Sequence, residues 1–524
     1  MDVTQFLNEQ NTRVKEYVNR MNVATWMAHT LGTDEWKEKL TEAESNWNAY
    51  CSNSDLFEKV QECLQLNGLE PSIRRQLELF FNLLKENQVS TEKLNEISAM
   101  SSELNIVFNK YMPEVDGRKL SANDIREILT NSRDNEERQK AWEASKEVGE
   151  EVVGKLIQIV KKRNEIAQQL GYENHHQMAF ELQELNRDEV FSIFQDVLKN
   201  SDQEYRELKA ELDTELAKRF GISIEELRPW HYADPFFQTA PALEETNLDP
   251  YFKDKNIMEL TDATFESLGL QINDLFQKSD LYPREGKNPT AFCIDIDREG
   301  DTRVLSNTQQ SSYWMNTALH EFGHAAYFKY LDQELPYILR QSAHVLTTEA
   351  IAMLFEKKGM DPDWLGTFLK VDSRKFRDSE GSFKRHTQLH QLISARFIIT
   401  FVFFERELYE NTDQDLNRLW WKLVKDIQLV NPPDNRDKAD WAAKIHFTLT
   451  PVYYQNYLLG EMTASQLDDY IKQNISENFF THKVGEYLKA AYFKPGALYH
   501  WNKKLKKATG ENLNPNYFVR EYCH

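Results

Sequence analysis

Asp134-Asn135-Glu136-Glu137 opens a stretch in which Ala141, Val148, Val152, Leu156 and Val160 recur at helical spacing as far as Gly171. A capping-type aspartate, an apolar face repeating every three to four residues and a closing glycine predict one long helix. The rest of the chain extends this pattern. Gly 18 and Pro 15 in 524 residues are about half the usual share, so turn-formers are scarce and long helices are favoured over many short strands. With 40% hydrophobic residues, 11 Trp and 30 Phe, a disordered chain is excluded and an all-β fold disfavoured. Length alone suggests about two to four domains. No Ser/Gly/Pro-rich tract, low-complexity segment or repeat divides the chain, so residues 1–524 are expected to form one large, mainly α body of two lobes.

Lys and Arg number 63 against 84 Asp and Glu, a net charge of −21. Nucleic acids and anionic membranes need clustered positive charge, so neither is an expected partner. The first residues, MDVTQFLNEQNTRVKEYVNR, form an amphipathic helical pattern without the apolar core of a secretory signal. A cytoplasmic location is therefore expected unless a leader has been removed. The longest apolar run, Phe397 to Phe404, lies between Arg396 and Glu405 and falls far short of the roughly 20 residues needed to span a membrane; it reads as a buried helix segment. Cys51, Cys63, Cys293 and Cys523 form no CxxC pair and are expected to be reduced, inert thiols.

One segment departs from the helical pattern. From Asn288 to Thr308, Phe292, Ile294 and Ile296 alternate with Cys293, Asp295 and Asp297 before the turn-like Arg298-Glu299-Gly300-Asp301. This reads as a β-hairpin. It leads through Ser311 and Ser312 to Thr317-Ala318-Leu319-His320-Glu321-Phe322-Gly323-His324-Ala325-Ala326-Tyr327. On a helix, His320 and His324 project from one face a turn apart, so both imidazoles can reach one ion, with Glu321 placed to take a proton from water at that ion. A chance match on an ordinary helix is the alternative, and a third ligand decides. Glu349, 25 residues after His324 on the amphipathic stretch Thr347 to Glu356, supplies a carboxylate of the required type, although a lone Glu is usually a surface acid. His386 and His390 share the i,i+4 spacing but have no Glu in the base position, and read as a structural or surface pair.

With these residues placed, the chain resembles the gluzincin metallopeptidases, specifically the angiotensin-converting-enzyme family of peptidyl-dipeptidases. The likeness extends through Asn131-Ser132-Arg133-Asp134, Ala141-Trp142-Glu143, Arg163-Asn164-Glu165 and Leu170-Gly171-Tyr172-Glu173 to Trp420-Trp421, Pro432-Pro433, Ala443-Lys444-Ile445-His446 and Thr450-Pro451, in order. The resemblance implies a two-lobed helical body with a deep groove, a small hairpin beside one zinc ion per chain, and short peptides as substrates. It makes the N-terminal helices, about 1–110, candidates for a lid over that groove.

It also implies roles for individual residues. His320, His324 and Glu349 match the zinc ligands, and Glu321 the general base. Lys444 matches the residue that binds the substrate's C-terminal carboxylate, and His446 one that hydrogen-bonds the peptide near the scissile bond. Tyr454 is assigned to substrate contact and Tyr457 to the oxyanion, with Tyr453 a rival and aromatic core packing expected for at least one of the three. The edge near Ala291 is a candidate for pairing with the substrate backbone. Asn288 stands where the family has a substrate-binding histidine, and Met353 where it has an aspartate that orients a zinc-bound histidine. Val424 and Asn456 occupy the places of the chloride-binding arginines, so chloride activation is not implied. The interval to Glu349 and the Glu349-to-Glu356 ending are closer to thimet oligopeptidases. Cleavage of internal bonds is therefore the alternative to release of C-terminal dipeptides, with a catalytically silent helical peptide-binding protein a third reading. Oligomeric state is not legible in the sequence.

Overall fold

Asp134 caps the long helix, its carboxylate accepting the N–H groups of Glu136 and Glu137, and the helix runs from Asn135–Gln169 with Ala141, Val148, Val152, Leu156 and Val160 all buried. The computed structural model describes residues 2–241, 248–371 and 373–523. The chain forms two compact units. One comprises Met1–Gln88, Asn247–Asp378 and Leu459–Phe518; the other comprises Val89–Thr246, Ser379–Leu458 and Val519–His524. Boundaries such as Leu458/Leu459 fall inside helices, here Gln455–Asn474, which is why composition carries no trace of them. The architecture is mainly α. Among the described residues the only sheets are two antiparallel ribbons, Glu114–Val115 with Arg118–Lys119, and Phe292–Asp295 with Thr302–Leu305. The second is the hairpin expected from the alternating segment, and its turn carries Arg298 and Gly300 at positive φ, 56 and 109°.

In the first unit, the helix Val3–Leu31 begins at the Asp2 cap and ends at Gly32 in the left-handed conformation. Its inner face, Phe6, Leu7, Val14 and Val18, packs against Tyr50, Val60, Leu77 and Phe80 in one apolar cluster, with Cys51 and Cys63 buried among them. Burial pushes the Cys51 thiol up to about 12, and all four cysteines are free, as expected of inert thiols. The helix Ser312–Lys329 carries the HExxH motif and starts at Ser311, whose side chain accepts the Trp314 N–H. It packs against Val345–Lys358, the helix that carries Glu349. The two approach most closely at Gly323, where an added Cβ would lie 2.9 Å from the Ala352 Cα and 3.3 Å from the Ile351 carbonyl oxygen.

In the second unit, Phe397 to Val402 and Phe404 are buried within Ser373–Glu410. The two charges that bound this run are buried too. Arg396 lies over the Tyr205 ring at 4.2 Å, and Glu405 accepts the Val452 N–H at 2.9 Å. No helix among the described residues is long and apolar enough to cross a membrane.

Because the atoms facing Gly323 are backbone, they cannot rotate away. Gly323→Ala is expected to lower unfolding stability by about 1–3 kcal/mol, measured by urea denaturation. An unchanged midpoint would show that the helices are not in tight contact there.

Candidate active site

Helical geometry places His320 and His324 one turn apart, and their Nδ1 atoms are held by different partners. His320 Nδ1 is 2.9 Å from a Glu356 carboxylate oxygen, and His324 Nδ1 is 2.8 Å from the Thr348 hydroxyl. Each bond turns the opposite nitrogen towards Glu349, whose Oε2 lies 3.7 Å from His320 Nε2 and 3.8 Å from His324 Nε2. The three donors lie within 4.8 Å of one another, the only such cluster among the described residues. Tetrahedral ligands at zinc distances stand about 3.4 Å apart, so this donor set fits a zinc ion with little adjustment.

The charge balance fits as well. Burial opposes a charge on His320, but the bond to Glu356 and the charges of Glu356, Glu321 and Glu349 outweigh it and raise the imidazole to about 9. Three carboxylates around two imidazoles are a surplus of negative charge that a divalent cation would neutralise. Glu321 is itself raised to about 7, chiefly by burial, against the opposing charge of His320.

The hairpin positions Glu321. Ile296 donates its N–H to the Asp301 carbonyl across the ribbon at 2.8 Å. By alternation, Phe292, Ile294 and Ile296 therefore address the partner strand, whereas Ala291, Cys293 and Asp295 face outward. The Cys293 N–H bonds the Glu321 carboxylate, and the Asp295 carbonyl accepts the Asn22 side-chain N–H at 2.8 Å. Ala291 is the outward position that neither contact uses. Asn288 precedes it in a turn where its side-chain oxygen accepts the Thr290 N–H at 2.8 Å.

The remaining candidates belong to the second unit. Lys444 Nζ donates to Gln238 Oε1 at 2.5 Å and faces the rings of Phe397, Phe236 and Tyr454 at 5.1–5.4 Å. Burial pushes this ammonium down to about 8, against the attraction of Asp234. Burial and the Lys444 charge also lower His446, to about 4, so its imidazole is neutral at pH 7 and its ring meets Tyr454 edge-on at 4.9 Å. Tyr454 is 7% exposed and stacks on Phe401 at 4.3 Å, the aromatic packing expected for one tyrosine of this run. Tyr457 and Tyr453 lie beside each other with ring centroids 5.4 Å apart. The turn before them contains Val452 at φ 51°, costly for a β-branched residue. Glu405 holds its N–H and Gln183 its carbonyl. His390 Nδ1 accepts the Ala240 N–H at 3.4 Å, in keeping with a structural role.

Several functional candidates were not singled out from sequence. Glu356 is seven residues past Glu349, hence on the same helix face, and that spacing is a signal for it. Thr348 directly precedes Glu349. Gln238 lies 206 residues from Lys444, and nothing in its local sequence marks it. Comparison with known families supplies the remaining finding: the chain matches the family profile Peptidase_M2, angiotensin-converting enzyme, over residues 1–523. A match of that extent, over a chain whose HExxH histidines converge with a downstream glutamate, makes this protein a member of the angiotensin-converting-enzyme family of zinc metallopeptidases.

Proposed function

We propose that the protein hydrolyses short peptides and releases dipeptides from their C-termini. The observation that carries the peptidase reading is the convergence of His320 Nε2, His324 Nε2 and Glu349 beside a carboxylate, Glu321, anchored by a backbone N–H. His320, His324 and Glu349 would hold one zinc ion, which when bound supplies Lewis-acid polarisation of the scissile carbonyl and acidifies water. Glu321 takes the proton from the attacking water and returns it to the leaving amine. In the roles that the family likeness assigns, His446 and Tyr457 donate to the developing oxyanion, Tyr454 contacts the substrate, and Lys444 binds its terminal carboxylate. Ala291, on the outward edge, pairs with an extended peptide backbone by strand addition, with Asn288 beside it.

The half-buried ammonium of Lys444 supports exopeptidase cleavage, because a charge ringed by aromatic faces gains most from a carboxylate partner. A thimet-like oligopeptidase that cuts internal bonds is the second reading. It is favoured by Glu356, the last residue of the thimet-like ending, which bonds His320.

His324→Ala removes one of three ligands, so zinc measured by elemental analysis should fall from one per chain to a small fraction; full occupancy would overturn the ligand set. Glu321→Gln should lower kcat by about a hundredfold or more while calorimetry shows zinc and peptide binding retained. A variant that turns over at the parent rate would remove Glu321 from the mechanism. Lys444→Ala, or amidation of the peptide's C-terminus, should lower kcat/KM by about tenfold. The ammonium is lost as pH rises, so kcat/KM for free-acid peptides should decline above about 8, and amidated peptides should lack that decline. Equal cleavage of acid and amide forms at internal bonds would favour the oligopeptidase.

A further inference from the structure

The helix Val3–Leu31 presents a stripe of residues three or four apart to the hairpin and the segment that follows it, and nearly all of them are anchored. Lys15 pairs with Glu299 at 2.6 Å, and Asn19 accepts the Tyr337 hydroxyl at 3.3 Å. Trp26 is buried with Ile296 and Leu305 and meets Phe292 edge-on. The His29 carbonyl accepts the Asn288 N–H at 3.0 Å. The helix end is immobilised as well: a Cβ at Gly32 would lie 2.5 Å from the Gly286 carbonyl oxygen. Among these contacts Asn22 is distinctive. Its Nδ2 group spans two successive carbonyls, Asp295 at 2.8 Å and Ile296 at 3.3 Å, just past the strand residue whose N–H bonds Glu321.

We propose that the first helix is a fixed strut for the hairpin and that Asn22 is a positioning residue, which ends the usable strand edge at Asp295 and holds Cys293 against the general base. Two consequences follow from the alternation of the strand. The Asp295 carbonyl is taken by Asn22 and the Cys293 N–H by Glu321, so Ala291 is the outward position at which an added peptide strand can exchange both backbone bonds. The contact thus reads a single residue of extended backbone, which suits short peptides over long strands. Loss of the Asn22 bonds would also loosen the strand end next to the residue that bonds Glu321, so one substitution would disturb substrate pairing and proton transfer together. This inference rests on the proposed roles of Ala291 and Glu321.

The test compares Asn22→Ala and the isosteric Asn22→Asp, which removes the donor and faces the carbonyls with negative charge, with Asn22→Gln, which keeps the amide. Each is assayed per zinc-loaded molecule for kcat and KM, and hydrogen exchange is followed across residues 291–296 by mass spectrometry. Asn22→Ala and Asn22→Asp should exchange faster in the hairpin alone. KM should rise and kcat fall, with kcat/KM lower by about tenfold, and Asn22→Gln should recover most of the loss. Folded, zinc-loaded Asn22→Ala and Asn22→Asp with parent exchange and parent kcat/KM would overturn the proposal. Failure of strand addition itself is distinguishable, because Ala291→Pro removes the outward N–H and would then leave KM unchanged.

Discussion

Two helices meet where one residue has no side chain, and the metal-type cluster depends on that contact. Gly323 lies between the two histidines of the motif, on the helix face turned to Val345–Lys358, and the Ala352 backbone occupies the space a Cβ would need. The approach sets the distances from Glu349 to both Nε2 atoms. It also brings Thr348 and Glu356, from the same second helix, within reach of the two Nδ1 atoms. One helix pair thereby supplies the proposed ligands and the groups that orient them, and the hairpin of that unit holds the proposed base.

Holding Glu321 falls to the hairpin and involves a compromise. An exposed strand edge would be an invitation to pairing along its whole length. Here one outward N–H is spent on Glu321 and one outward carbonyl on Asn22. What is left is short, and it lies two residues before the N–H that bonds the carboxylate. A comparable economy appears around Val452 in the second unit, where an unfavourable backbone conformation is held by a fully buried Glu405 whose pKa is raised to about 8 by burial. The turn so fixed begins the helix that carries Tyr457.

What was legible in the sequence follows from how local the determinants are. The long helix was readable because cap, periodicity and terminator lie within one stretch, and it matches the observed Asn135–Gln169. The hairpin and the HExxH helix were readable for the same reason. The aspartate expected to orient a histidine, with Met353 in its place, has its counterpart three residues further along in Glu356, a spacing that helical geometry explains only once His320 is placed opposite. Gln238, Asn22 and Glu405 were not legible. Each acts across more than 40 residues of sequence on a backbone group or a half-buried ammonium, and an Asn, Gln or Glu on a helix or loop has no local pattern that sets it apart. The division into two units was hidden because several of its boundaries, such as Leu458/Leu459, run through helices.

The central claim is that His320, His324 and Glu349 form the zinc site of this peptidase. Zinc K-edge X-ray absorption on the purified protein tests it most directly. Two imidazole nitrogens with oxygen ligands at about 2.0–2.2 Å, and no sulfur, are the predicted shell, and the zinc signal should fall to a small fraction in His324→Ala. A sulfur shell, or a zinc signal unchanged by that substitution, would contradict the account.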